Sequence, residues 1–156
     1  MRMEMALLTV MVVTASACGQ DAKNAKLAKR HDIEVDTVTY PQATPKESLA
    51  SVLKAIEAGK FNYLLAQLSE PDWVDRRVKE VHHGKFAAMV EETSGKFAND
   101  RTAIKDLRRF LQEGTWETTD TTATAQLKDV KNRRVYMRRL EGRWFLEDRK
   151  DAKTEK

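Results

Sequence analysis

The spacing of apolar residues changes at Gly114, and this change limits the possible folds more than any other feature of the chain. Before Gly114 the apolar residues recur at helical spacing, as Leu49, Val52 and Ile56 do, which is typical of helices that bury one face. After Gly114 they alternate with polar residues, many of them threonines, which is typical of strands. Helices followed by antiparallel strands predict an α+β domain, with N-terminal helices packed on an antiparallel sheet.

Local signals divide the first half of the chain into separate helices. Thr44-Pro45-Lys46-Glu47 predicts a helix start, because Thr44 can cap, Pro45 needs no amide hydrogen and Glu47 completes a capping box. Further helices are expected to begin at Phe61, at the capping pattern Ser69-Glu70-Pro71-Asp72 and at Asn99, and Phe86 is expected to begin a turn or two of helix. The expected helix ends are Gly59, Gly84 and Gly114.

The last two strands give the most specific structural prediction. Glu141-Gly142 fits a two-residue turn between strands at 134–140 and 143–149. Because side chains alternate along a strand, Val135, Met137, Trp144 and Leu146 should share the face that packs on the helices. The opposite face is then the candidate partner surface, with Arg138 opposite Phe145 at cation–π distance. Its proposed members are Tyr136, Arg138, Phe145 and Arg143.

The chain begins with a short apolar stretch, then small residues, then its single cysteine. The stretch 5–13 is too short for a membrane span, which takes about 20 residues, and it suits the centre of a signal peptide. Ala15-Ser16-Ala17-Cys18-Gly19 resembles the lipobox of bacterial lipoproteins, which implies that Cys18 is acylated and becomes the first mature residue. Two alternatives stay open: ordinary cleavage before Cys18 that leaves a free thiol, and a buried apolar N-terminal helix.

This interpretation divides the chain into four parts: a signal peptide at 1–17, a lipidated cysteine with a polar tether at 18–43, one domain at 44–150 and a disordered tail at 151–156. Acyl chains on Cys18 would make the membrane a partner of the protein through a stable lipid anchor. In some bacteria, an aspartate directly after the lipidated cysteine favours retention in the inner membrane. This chain has Gly19 at that position, so the lipoprotein resemblance implies the outer membrane.

Both ends of the domain resemble the nuclear transport factor 2-like superfamily. The segment 44–61 is similar to its first helices, and Leu140–Leu146 is similar to its closing hairpin, where a tryptophan follows a turn that contains glycine. The resemblance implies a curved antiparallel sheet wrapped around helices, forming a cone with a cavity. Members include isomerases, dehydratases and non-enzymatic envelope proteins, so the fold alone does not decide the function. Members similar to ketosteroid isomerase use an aspartate and a tyrosine in the cavity, and the resemblance matches no residue of this chain to either role.

The sequence contains no recognisable catalytic or metal-binding set. Adjacent helical residues such as His82 and His83 point about 100° apart, so they cannot readily hold one metal ion. Glu70 and Asp72 are explained by the preference of a helix's first turn for acids. We therefore predict no catalytic residue, no metal and no cofactor.

A basic segment near the C-terminus raises the question of an anionic partner. Residues 128–150 contain nine basic and four acidic side chains. An exported protein does not meet nucleic acid, and the helices carry no basic recognition face, so no nucleic-acid partner is predicted. A solvated strand face that resists edge-to-edge aggregation is the favoured explanation of the charge, and contact with anionic lipid headgroups or an acidic polymer is the alternative.

Together these features predict a lipid-anchored cell-envelope protein. Its α+β domain is expected to bind a small molecule or a protein without catalysis. The alternative is a cavity enzyme of the isomerase, dehydratase or hydrolase type. An acid buried beside a tyrosine would favour the enzyme, and a cavity filled by aromatic side chains would favour a binding or structural role.

Overall fold

The computed structural model describes residues 28–149, apart from the side chains of residues 131 and 132. The described residues form five α-helices, a four-stranded antiparallel sheet and a two-stranded hairpin, which confirms the predicted α+β class. The signal peptide predicted at 1–17, Cys18 and the tail at 151–156 lie outside the described residues.

The elements follow the predicted order of helices before strands, after a short N-terminal hairpin. The hairpin consists of β1 (Lys29–Arg30) and β2 (Ile33–Glu34). The helices are α1 (Pro45–Glu57), α2 (Phe61–Tyr63, continued by the π-helical turn Leu64–Leu68), α3 (Pro71–Glu80), α4 (Phe86–Asn99) and α5 (Arg101–Glu113). The strands of the main sheet, in their spatial order, are β3 (Thr115–Thr118), β4 (Thr122–Leu127), β5 (Val130–Leu140) and β6 (Arg143–Glu147).

Helix α1 begins with the predicted capping box. The Glu47 backbone N–H donates to the Thr44 hydroxyl at 3.2 Å, and the Thr44 backbone N–H donates to the Glu47 carboxylate at 3.0 Å. The prediction that Ser69 caps helix α3 is wrong. The Ser69 hydroxyl donates instead to the Leu64 carbonyl at 3.0 Å. The N-cap of α3 is Glu70, whose side chain makes no capping hydrogen bond.

Helices α4 and α5 also differ from the prediction. Helix α4 continues to Asn99 rather than ending after a turn or two, and its Met89 is buried against Val74 and Val78 of α3. The cap of α5 is Asp100, which accepts a hydrogen bond from the Ala103 N–H at 2.9 Å, rather than Asn99.

The closing hairpin has the predicted register. Glu141 and Gly142 have φ angles of 49° and 78°, as a two-residue hairpin turn requires. Met137 pairs with Leu146, and Trp144 pairs with Arg139. Val135, Met137 and Trp144 are 4%, 0% and 4% exposed and lie in the core, so this face packs on the helices as predicted, with Leu146 partly buried beside them.

The core of the domain lies between the inner face of the sheet and the helices. Leu49 of α1 and Phe110 of α5 meet Ala125, Met137 and Trp144 of the sheet. A second apolar cluster joins α1, α2 and the segment before α1, where the rings of Tyr40 and Tyr63 stack at 4.3 Å; its buried members are Tyr40, Val52, Ala55, Ile56, Tyr63, Leu64 and Leu68.

The segment before α1 packs against the domain. Arg30 is 5% exposed and donates hydrogen bonds to the Ala66 carbonyl at 2.9 Å and the Pro71 carbonyl at 3.1 Å. Its guanidinium also forms an ion pair with Asp75. The packed part of the described chain therefore begins before residue 44, where the sequence placed the start of the domain.

Backbone and side-chain groups from two other segments cover the outer edge of β6. The Trp144 N–H donates to the Gln42 carbonyl at 3.0 Å, and the Gln42 side-chain amide donates to the Trp144 carbonyl at 2.7 Å. The Glu70 N–H donates to the Leu146 carbonyl at 2.8 Å. These bonds satisfy an edge that would otherwise be open to pairing with another chain.

Candidate functional site

A cleft of about 550 Å³ lies between the helices and the ends of the last two strands. Its volume falls within the range of about 300–1,000 Å³ that is usual for small-molecule sites. Trp73 of α3, Phe97 of α4, Leu107 of α5 and Leu146 of β6 contribute apolar surface, and Thr93 of α4 adds a hydroxyl. An apolar lining with a few polar groups is typical of a ligand-binding site.

The helical wall of this cleft carries two cations that share one carboxylate. Arg77 Nη2 lies 3.1 Å from Oε1 of Glu92, and the Lys96 ammonium contacts the same oxygen. On the other side, His82 Nε2 lies 3.0 Å from Oε2 of Glu92, an ion-pair distance without hydrogen-bond geometry. The hydrogen bond from Lys96, aided by the charge of Arg77, holds the pKa of Glu92 below its usual range. Glu92 is therefore ionised at neutral pH.

The strand wall of the cleft carries an acid beside a tyrosine. Tyr136 of β5 and Glu147 of β6 are cross-strand partners, and both line the cleft. The Glu147 side chain is 13% exposed and accepts a hydrogen bond from Arg149 Nε at 3.1 Å. The Arg149 guanidinium also lies over the Tyr136 ring, 5.4 Å from its centre. Arg149 therefore compensates the negative charge of the acid on this wall.

The candidate partner surface predicted on β5 and β6 is not a free surface. Phe145, a proposed member of this surface, is 0% exposed, so its ring is not accessible to a partner. Arg138 forms an ion pair with Glu70 at 3.1 Å. Arg143 donates to the side-chain oxygens of Gln42 and Gln67 at 3.3 and 3.2 Å. Tyr136 is half-buried and lines the cleft instead.

The burial of Phe145 follows from what crosses the outer face of β6. Arg138 lies on β5, on one side of Phe145, and Glu70 bonds to the other edge of β6, so their ion pair spans the strand at this point. The Arg143 guanidinium lies over the Phe145 ring at 5.0 Å, so the cation–π partner found there is Arg143 rather than the predicted Arg138. Burial lowers the pKa of Arg143. The alternation of side chains along a strand could not reveal that Phe145 is covered, because Glu70 comes from a distant segment of the chain.

The histidines and acids weighed in the sequence lie in separate places. His82 adjoins Glu92, whereas His83 is exposed. His31 stacks on Phe86 at 4.0 Å, with its Nε2 3.2 Å from Asp75. Across residues 28–149, no three histidine, cysteine or acidic side chains are grouped as a metal site.

Sequence reasoning missed the cationic side of the cleft. Arg77, Glu92 and Lys96 come from two helices, and the second of these was expected to be only a turn or two long. The spacing of Glu92 and Lys96 was a usable signal, since an acid four residues before a lysine pairs on a helix.

In comparisons with known proteins, no family model, curated protein or solved structure matches this chain. Within residues 28–149, no helix has both the length and the apolar character that crossing a membrane requires.

Proposed function

We propose that this protein is a lipid-anchored cell-envelope protein whose α+β domain binds a small apolar ligand in the cleft without catalysing a reaction. The observation that carries the binding proposal is the cleft of about 550 Å³, with Trp73, Phe97 and Leu107 in its lining. A cavity between helices and an antiparallel sheet is also what the resemblance to the nuclear transport factor 2-like superfamily implies.

The cleft supports a ligand site better than the predicted surface on β5 and β6 does. Arg138, Arg143 and Phe145 are engaged by contacts within the protein, so a partner at this surface would have to displace them. The aromatic side chains of Trp73 and Phe97 are half-buried and still border the open volume of the cleft. A ligand that covers these rings removes apolar surface from water, which is favourable in proportion to the area covered.

Binding can be tested with the neutral, apolar fluorophore N-phenyl-1-naphthylamine. The protein should carry Cys18→Ser, so that no acyl chain enters the assay. We expect saturable binding, and we expect Thr93→Phe, which fills part of the cleft, to weaken it about tenfold, a change of about 1.4 kcal/mol. Thr102→Phe is the matched control, because Thr102 is exposed on α5 and does not line the cleft. Equal binding by both variants would contradict a site in the cleft.

The anchoring proposal rests on the run Ala15-Ser16-Ala17-Cys18 and has its own test. In bacterial cells, the protein should incorporate labelled palmitate and partition into the detergent phase, and Cys18→Ser should abolish both. Ser16→Ala is the matched control, since alanine keeps the residue before Ala17 small. Recovery of unmodified, water-soluble protein from cells that express the unchanged sequence would falsify the anchor.

A second candidate function is an enzyme that works in the same cleft. The specific observation in its favour is the pair Tyr136 and Glu147, an acid beside a tyrosine on one wall. The contact between Glu147 and Arg149 argues against it, because the Glu147 carboxylate already accepts a hydrogen bond from the Arg149 guanidinium, whereas a general base must accept a proton from the ligand. The two functions differ in whether a bound ligand is released chemically unchanged.

A further inference from the structure

We infer that the ligand of the cleft is an anionic amphiphile, with an apolar chain and one negatively charged head that Arg77 and Lys96 bind. This inference rests on the proposed function, since it names the chemical class that the same cleft would take. It begins from the two cations of the helical wall, which share a single carboxylate, Glu92.

The charge of the cleft is not balanced by its own acids. Its lining contains four cations and two acids, and Glu92 behind the lining is a third acid, so one positive charge remains. The strand wall is balanced, because its two cations, Arg134 and Arg149, are matched by the two acids Glu147 and Asp148. The uncompensated charge therefore belongs to the helical wall, where Arg77 and Lys96 meet on one oxygen of Glu92. The charged residues of the lining are Arg77, Lys96, Arg134, Arg149, Glu147 and Asp148.

Both cations of the helical wall can reach a second anion. The side chains of Arg77 and Lys96 are 31% and 64% exposed, so neither is enclosed by its contact with Glu92. Each has further donors, because a guanidinium has five N–H groups and an ammonium has three. Two donors that face one cleft would make charge-assisted hydrogen bonds to a carboxylate or a phosphate, and these are about twice as strong as neutral ones.

The apolar part of the cleft lies next to this charged wall. Trp73 is one helical turn before Arg77, and the Arg77 guanidinium lies 5.9 Å from the centre of the Trp73 ring. Phe97 follows Lys96 directly and also lines the cleft. A molecule that places its charged head between Arg77 and Lys96 would therefore lay its chain against Trp73 and Phe97. This juxtaposition favours an amphiphile over a small inorganic anion.

The test compares decanoate with decanol, which share a chain and differ in the head group. In calorimetric titrations of the Cys18→Ser protein, decanoate should bind about tenfold more tightly than decanol, as charge-assisted hydrogen bonds at the head require. Equal affinities would overturn the inference. If the neutral fluorophore also fails to bind, the proposed ligand site itself fails; if the fluorophore binds, only the anionic head is excluded.

Changing Glu92 gives the sharper test. If Glu92 only stabilised the structure, its replacement would weaken decanoate binding, whereas the inference predicts tighter binding. Glu92→Gln leaves Arg77 and Lys96 without their shared carboxylate, so decanoate should bind about three- to tenfold more tightly, with decanol unchanged. Weaker or unchanged decanoate binding by a folded Glu92→Gln protein would overturn the inference.

Lys96→Gln covers the case in which the Glu92 variant does not fold. The Lys96 side chain is 64% exposed, so its loss should be tolerated. Decanoate binding should weaken about threefold, whereas the matched control Lys105→Gln, on the exposed surface of α5, should leave it unchanged. An equal effect of the two variants would show that general surface charge, and not the wall of the cleft, sets the affinity.

Discussion

Replacing Trp144 with alanine is expected to lower the free energy of unfolding by about 3–5 kcal/mol, the usual cost of truncating a large buried aromatic side chain. Trp144 is 4% exposed and packs with Phe110 and Met137 at the centre of the core. The cavity left behind would lie between the sheet and α5, where neither element can collapse without disturbing the other. Urea denaturation followed by circular dichroism measures the change.

The neighbouring Phe145→Ala variant should lose a similar amount of stability. Strand alternation places Phe145 on the face opposite the core, which by itself predicts a clearly smaller loss than for Trp144. The Phe145 side chain is nevertheless 0% exposed, beneath Arg143 and the ion pair of Arg138 with Glu70. Val38→Ala is the control, because Val38 is 93% exposed and should change stability by less than about 0.5 kcal/mol. A Phe145→Ala loss no larger than that of Val38→Ala would contradict the observed cover of β6.

Replacing Arg30 with alanine is expected to cost about 2–3 kcal/mol, because the hydrogen bonds that a charged group makes to two carbonyls are lost. The Arg30 side chain is 4% exposed and joins β1 to the carbonyls of Ala66 and Pro71 and to Asp75. Asp75 is 42% exposed, so water can solvate its freed carboxylate, which limits the loss.

The adjacent residue supplies the control for Arg30. Lys29 pairs with Asp32, and their side chains are 55% and 98% exposed. An exposed pair of this kind contributes about 0–1 kcal/mol, so Lys29→Ala should have little effect on urea denaturation. Equal effects of the two substitutions would mean that the segment before α1 is not part of the cooperative unit.

Much of the fold could be predicted from local sequence, because the decisive interactions are local. The capping box of Thr44 and Glu47 and the turn at Glu141 and Gly142 each involve residues at most three positions apart. The register of β5 and β6 followed from that turn, and alternation then placed Trp144 and Met137 in the core.

The errors arise where distant segments meet. Phe145 is covered through Glu70, which is far from it in sequence, and Arg30 is buried by carbonyls on either side of the junction between α2 and α3. A polar composition around Arg30 predicts solvent exposure, but a guanidinium can be buried when several acceptors surround it. The cleft joins residues from separate helices and strands, so no single stretch of sequence carries its signal.

The most direct test of the ligand site uses the indole N–H signals of the three tryptophans in a nitrogen-15 correlation spectrum. Trp73 lines the cleft, whereas Trp116 and Trp144 pack in the core on the inner face of the sheet. Addition of N-phenyl-1-naphthylamine, the neutral apolar ligand, should shift the Trp73 signal in a saturable way and leave the other two signals nearly unchanged. The ligand recovered afterwards should have an unaltered mass. A shift confined to Trp116 would move the site to β3, and a ligand of changed mass would favour the enzyme. No shift at Trp73 would contradict a binding site in the cleft.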